Sequence, residues 1–551
     1  MPPDPPLSAA GRPDPAASSS GLSRADWAGL AALALILICV RLPVILRQIP
    51  AQDEDYFAVP GATILKEGIP RIPYMPSRNP AGAFYRADEM LFTLPPAYFY
   101  WQAGWYAALG PSTAVARIAA LAAGLAALPL LYWLGLRWTG SRFAAGLGVT
   151  LYALSRVLMF PCVVARPDML CGCFGFGALA MAERWHTDRR KRWLVASGAL
   201  IGGGFLTHPF ALVYALQIGL WVCLVSAPMS RRIGRGALLT ATSLVVFSLW
   251  GILIAQKPEL FKRQFFNNVV GQAGPGLPSR VIHPWPALRA QAVLFGDHAG
   301  SIQGGLMVAG LVGLGTILLW RRIISDASPA VLRDGSEAGT GGRDGLFRLW
   351  LLGVSSVYFL VICQGQHPTK GYLCYPGGLM FLCLGATVGK FADGLLGRIA
   401  GARREGSSAN VAGPRVPWLS GVVAALLVAA MLPGSGLRAT AVYLRHWNDI
   451  DYDAPRFTAA LIDRTPANAR LIVDPGYIFD FYRSGRDVRL GLIYGFFYDV
   501  RGTPYDYVIG GPYSIRDGVP EAVGAEFVEE RGDRSDLFAC HARIYRAPGA
   551  P

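Results

Sequence analysis

Apolar stretches long enough to cross a hydrocarbon core of about 30 Å recur about eleven times along the chain. They lie near 27–46, 112–136, 143–163, 168–184, 194–208, 209–226, 237–255, 303–320, 346–363, 372–390 and 418–434. The 194–226 run reads either as one long stretch broken at His208-Pro209 or as two crossings. The polar segments between the runs decide the point. Alternate loops are basic: Arg137 to Arg142, Arg184 with Arg189-Arg190-Lys191-Arg192, Arg231-Arg232 with Arg235, Arg321-Arg322, and Lys390 to Arg404. All of them face the cytoplasm only if 194–226 crosses twice. The pattern therefore predicts a polytopic α-helical protein of the cytoplasmic (inner) membrane, with about 11 transmembrane helices in a domain over 24–440. An odd total puts the N-terminus inside and the tail, 441–551, outside. Loops 47–111 and 256–302 then also face outward.

Composition agrees: the 551 residues are 53% hydrophobic and 16% charged, too apolar for a soluble protein. Residues 1–23, rich in Pro, Ala and Ser, are expected to be disordered. They are too long and polar for the n-region of a signal peptide, so the first span is expected to stay as an anchor. The net charge of +15 sits in the cytoplasmic loops, where anionic lipid accounts for it without nucleic acid. The nine cysteines form no disulfide framework or zinc pattern and are expected to pack. Residues 326–345, rich in Gly, Ser and Asp, predict a flexible linker.

The tail predicts a small extracytoplasmic α/β domain. Strands are expected at Arg470 to Asp474, Asp506 to Gly511 and His541 to Tyr545, with a short helix from Tyr477 to Tyr482. It shows no catalytic constellation; its expected role is to cover the outer face or to recognise an acceptor.

Candidate chemistry begins just past the first span, at Asp53-Glu54-Asp55. Adjacent carboxylates repel one another and gain nothing from lipid, so such a cluster serves a cation, a proton or a nucleophile, or else simply begins a solvated loop. A short helix is expected from Tyr56 to Leu65, ended by Lys66-Glu67-Gly68. An uncharged aromatic segment follows from Leu94 to Tyr106. Pro95 and Pro96 suit its first turn, and its Tyr and Trp also suit an ordinary interfacial belt.

Asp53-Glu54-x-Tyr56, Glu67-Gly68, Leu94-Pro95-Pro96-Ala97-Tyr98-Phe99, Gly110-Pro111-Ser112 and Ala116-Arg117-Ile118 follow one another in a recurrent order. In that order they resemble the first loop and second span of the GT-C membrane glycosyltransferases. The branch most resembled is that of the protein O-mannosyltransferases and lipid A aminoarabinose transferases (family 39-like). The resemblance runs over about 25–390 and is weakest in 230–345. Ala165-Arg166-Pro167-Asp168 and Lys370-Gly371-Tyr372-Leu373-Cys374-Tyr375-Pro376, preceded by His367, add to it. Two departures stand out: His208 falls where relatives place a Lys, and Leu94 stands where they often have one, with Arg86 upstream as its substitute.

The resemblance implies an inverting enzyme that moves a sugar from a polyprenyl-phosphate donor to a lipid, glycan or protein acceptor at the outer face. Asp53 is then the general base and Glu54 its support. Arg86, Arg166, His208, Lys370 and Tyr372 are the expected substrate contacts, with Asp168 orienting substrate or holding Arg166. Four of them have a plainer alternative: an ion pair at a helix mouth for Arg166 and Asp168, a satisfied histidine at a helix break for His208, a snorkelling lysine for Lys370. No cofactor is required, although an acid pair such as Asp53 and Asp168 would also suit Mg²⁺ or Mn²⁺. A transporter or lipid flippase is the alternative function. It leaves the acidic first loop and the folded tail unexplained, and the sequence shows no inverted repeat.

Overall fold

Serines and prolines set where the helices start and stop. The computed structural model describes residues 21–51, 53–225, 228–271, 276–327, 340–365, 368–404 and 417–549. The expected disorder of 1–20, the linker centre at 328–339, and His367 lie outside the described residues. Ser23 caps α1 (Arg24–Arg47), accepting from the Asp26 N–H while Asp26 accepts from the Ser23 N–H. The first loop carries α2 (Glu54–Phe57), α3 (Val59–Glu67) and α4 (Ala97–Leu109). The single helix expected over 56–65 is two, because Pro60 has no N–H to continue the ladder. Gly68, left-handed at φ +79°, closes α3.

Ser112, Ser141 and Ser155 cap α5 (Thr113–Thr139), α6 (Arg142–Leu154) and α7 (Arg156–Val163). The α6–α7 pair bends by 53°. α8 (Asp168–Asp188) starts just after Pro167. α9 (Lys191–Thr207) ends where Pro209 holds His208 extended, and α10 (Leu212–Leu224) follows after one turn. α11 (Met229–Phe247) and α12 (Gly251–Ile254) make one span. The second loop holds α13 (Pro258–Phe265), α14 (Leu277–Ile282) and α15 (Trp285–Ala299). α16 (Ser301–Ala327), α17 (Thr340–Gln364), α18 (Cys374–Arg404), α19 (Pro417–Met431) and α20 (Leu437–Arg445) complete the bundle.

Helices occupy every apolar run, but about 11 spans are not confirmed by length and composition. Six described helices are long and apolar enough to cross a membrane, or up to eight if each bent pair is one span. α9 and α10 fall short at 17 and 13 residues, and α8 carries Glu183 and Arg184 near its end. Among the helices long and apolar enough to cross, α18 and α5 are the most buried. α6 and α18 cross closely at Gly148, where a Cβ would lie 2.8 Å from the Phe381 carbonyl oxygen. The described cysteines are all free.

The tail forms a five-stranded sheet in the order β2-β1-β5-β7-β6. Its strands are β1 (Arg470–Val473), β2 (Asp487–Leu490), β5 (Tyr507–Gly510), β6 (Glu526–Gly532) and β7 (His541–Arg546). β1 runs parallel to both neighbours, pairing Ile472 with Arg489 and Val508, while β7 is antiparallel to β5 and β6. A separate hairpin, β3 (Ile493–Tyr494) with β4 (Tyr498–Asp499), projects from the sheet. It reaches the first loop, where Ala83 N donates to the Phe496 carbonyl at 2.8 Å and Asn79 Nδ2 to that of Gly495 at 2.8 Å.

Candidate active site

Glu54 fixes the first loop to the bundle. Its buried carboxylate accepts from Arg117 Nε at 2.8 Å and Nη2 at 2.7 Å, and from the Ala165 and Ala51 N–H groups at 2.7 Å each. Arg117 Nη1 donates in turn to the Ile45 and Gln48 carbonyls at 3.0 and 2.9 Å. One ion pair thus ties together the end of α1, the start of α5 and the residue before Arg166. With its lone pairs engaged, Glu54 positions the site rather than reaching into it.

Its neighbour Asp53 is different: the side chain is 38% exposed. Asp53 Oδ2 pairs with Arg166 Nη1, and Tyr56 Oη donates to Asp53 Oδ1 at 2.8 Å. Arg166 Nε donates to Asp168 Oδ2 at 2.6 Å. Asp168 is wholly buried, and its Oδ1 has no hydrogen-bond partner among the described residues. A Cβ at Gly371 would overlap the Asp168 carboxylate. The guanidinium is therefore shared between the exposed acid and an acid wedged behind it.

A cavity of about 420 Å³ opens beside Asp53, with Tyr56, Arg166, His208, Arg280 and Tyr372 in its wall. His208 Nδ1 accepts from the Phe210 N–H at 3.0 Å, so the neutral ring carries its proton on Nε2. Nε2 lies 3.1 Å from Tyr372 Oη and donates to it, which leaves the phenolic O–H free to donate elsewhere. Phe210 stacks on the Tyr372 ring at 5.2 Å between centroids.

Of the residues singled out in the sequence, Asp53, Arg166, His208 and Tyr372 meet at this cavity, and Asp168 stands behind Arg166. Arg86 does not reach it. It is exposed and forms a bidentate pair with Glu89 at 2.5 and 2.6 Å, so it cannot stand in for a lysine at position 94. Lys370 also stays out of the lining; its Nζ lies 4.0 Å from the centre of the Phe160 ring, held by a cation–π contact. The acid pair does not suit a divalent cation in this arrangement, because the Arg166 guanidinium fills the place between Asp53 and Asp168. Among the described residues no group of three or more His, Cys, Asp or Glu converges as metal ligands.

The chain superposes on the structure of ArnT from Cupriavidus metallidurans bound to undecaprenyl phosphate, with a TM-score of 0.55 at 15% identity. The match covers 95% of this chain and 98% of that one. The apo state of the same protein matches with the same TM-score and coverage at 16% identity. This is the GT-C fold. A family model described as dolichyl-phosphate-mannose-protein mannosyltransferase matches residues 93–252. No curated protein matches the chain in sequence.

Within the GT-C fold, four groups at the cavity escaped the sequence reading. Arg280, on α14, donates from Nη1 to the Cys363 carbonyl at 3.0 Å, while its buried Nε has no partner among the described residues. Asn268, Thr93 and Gln364 also line the wall. Asn268 Nδ2 donates to the Thr93 carbonyl at 3.0 Å, and Gln264 straps the second loop onto the first through the Phe92 and Thr93 N–H groups at 2.6 and 3.0 Å. Nothing in the sequence marks Arg280 off from the other basic residues of 256–302.

Proposed function

We propose that this chain is an inverting glycosyltransferase that moves a sugar from a polyprenyl-phosphate donor to an acceptor hydroxyl at the outer face of the cytoplasmic membrane. One observation carries the reading: a part-exposed carboxylate, Asp53, stands in the lining of a cavity whose other polar side chains present donors and cations among apolar ones. The binding of undecaprenyl phosphate by a protein of the same fold supports a lipid phosphate as the leaving group.

In this mechanism Asp53 takes the proton of the acceptor hydroxyl. The acceptor oxygen bonds to the anomeric carbon as the bond from that carbon to the phosphate oxygen breaks. The electron pair leaves with the polyprenyl phosphate, and one displacement inverts the centre. Arg166, Arg280 and the free O–H of Tyr372 face the departing oxygens, the placement that lowers the barrier in a water-poor site. His208 holds Tyr372 in that orientation. Asp168 fixes Arg166 from behind, and Glu54 anchors the loop that carries Asp53.

The test is release of polyprenyl phosphate by the protein in nanodiscs, given polyprenyl-phosphate hexoses and pentoses. The reading expects release, with an inverted linkage in the product. Absence of release across the panel, together with solute uptake into sealed vesicles, would replace it with the transporter reading.

A further inference from the structure

A second cavity, of about 550 Å³, meets the first at Asp53, Tyr56 and Phe497, which line both. Its remaining wall comes from Asp55, Met75, Leu492, Ile493, Tyr494 and Asp517. The two walls differ in sign. The first presents two guanidinium groups, Arg166 and Arg280, and one carboxylate. The second presents three carboxylates and no cation. Asp517 is partly neutralised by Arg516 Nε at 2.8 Å, but Arg516 does not line the cavity. Asp55 is only 2% exposed, and its carboxylate accepts from the Tyr56 N–H at 2.8 Å through Oδ1. Burial raises its pKa well above the usual 3.8, with the carboxylates of Asp474 and Glu54 adding to the shift and the Tyr56 N–H opposing it. When it carries its proton, such a carboxyl both donates and accepts hydrogen bonds, as a hydroxyl-rich ligand needs.

Two of the three aromatic side chains in the wall, Tyr494 and Phe497, belong to the tail. Tyr494 and Phe497 sit on the β3–β4 hairpin, their rings 5.1 Å apart, and Tyr494 is 56% exposed. A flat exposed ring, backed by a half-buried one and set beside carboxyl groups, suits the C–H faces and hydroxyls of a sugar. A phosphate or carboxylate would find no cation in this wall.

We propose that this second cavity is the acceptor site of the transferase, and that it takes an uncharged or cationic sugar rather than an anionic one. The hairpin is then the tail's contribution to acceptor choice. Asp53 lies where the two cavities join, so an acceptor hydroxyl entering from the hairpin side comes within reach of the base that also borders the first cavity. This inference rests on the function proposed above.

The test uses the full chain in nanodiscs and saturation-transfer NMR. The probes are methyl mannoside, methyl glucoside, methyl arabinoside and glucosamine, against glucose 6-phosphate and glucuronate. Undecaprenyl phosphate binding is measured in parallel. The expected result is saturation of the uncharged and cationic sugars only. Their binding should weaken about tenfold in Tyr494→Ala and in Asp517→Lys, with undecaprenyl phosphate binding unchanged in both. Equal saturation of the anionic probes, no saturation of any sugar, or sugar binding indifferent to Tyr494→Ala would each overturn the acceptor assignment. Failure of the wild-type chain to bind undecaprenyl phosphate would instead count against the donor reading, so the two failures are distinguishable.

Discussion

At the residue scale, two adjacent acids, Asp53 and Glu54, have opposite fates. Glu54 is buried against Arg117, so Glu54→Gln leaves a guanidinium desolvated without its counter-charge. A loss of about 3–5 kcal/mol is expected, visible as a lowered melting temperature in nanodiscs; an unchanged melting temperature would contradict the pairing. Asp55 supplies a pH test. It ionises near 3.8 in the unfolded chain and well above that when folded. The folded state therefore holds the extra proton, and this group's contribution to stability falls as pH rises above 3.8. The melting temperature of Asp55→Asn minus that of the wild type should grow as pH rises above 3.8; a constant difference would refute the shift. Much of the site was legible at this scale. Asp53, Arg166, His208 and Tyr372 each stand beside a proline or within a spaced motif. The anchoring role of Glu54 was not, because its partner lies 63 positions away and only folding brings them together. Arg280 and Gln364 were missed for the same reason: they acquire meaning from the cavity they face.

At the scale of elements, hydrophobic runs placed the helices well, since burying or lipid-facing an apolar segment favours helix wherever it lies. They did not say which helices cross. That depends on lengths and breaks, such as the 53° bend at Ser155 and the stop at His208-Pro209. Of the five strands in the tail's sheet, β1, β5 and β7 were readable as short β-branched and aromatic runs; β2 and β6, interrupted by charged residues, were not, and the two-residue strands of the hairpin were too short to show a period. One close approach between elements is testable. Gly371, in the turn before α18, leaves no room for a Cβ beside Asp168. Gly371→Ala should push Asp168 from Arg166 and lower turnover by about 10²-fold with little change in melting temperature. Turnover within a factor of about two of wild type would show the contact to be tolerant.

At the scale of the whole molecule, the tail and the first loop act as one layer over the helical bundle. Leu490 N donates to the Tyr74 carbonyl at 3.1 Å, Tyr513 Oη to that of Pro50 at 3.1 Å, and Arg47 pairs with Asp453 at 3.4 Å. Ending the chain after Arg445 should therefore loosen the first loop, read as new protease cuts between residues 69 and 95; an unchanged digest would mean that the loop orders itself. The account as a whole turns on Asp53. Single-turnover release of polyprenyl phosphate should fall by about 10²–10⁴-fold in Asp53→Asn, with undecaprenyl phosphate binding and melting temperature retained. Turnover equal to the wild type would contradict the assignment of Asp53 as the base.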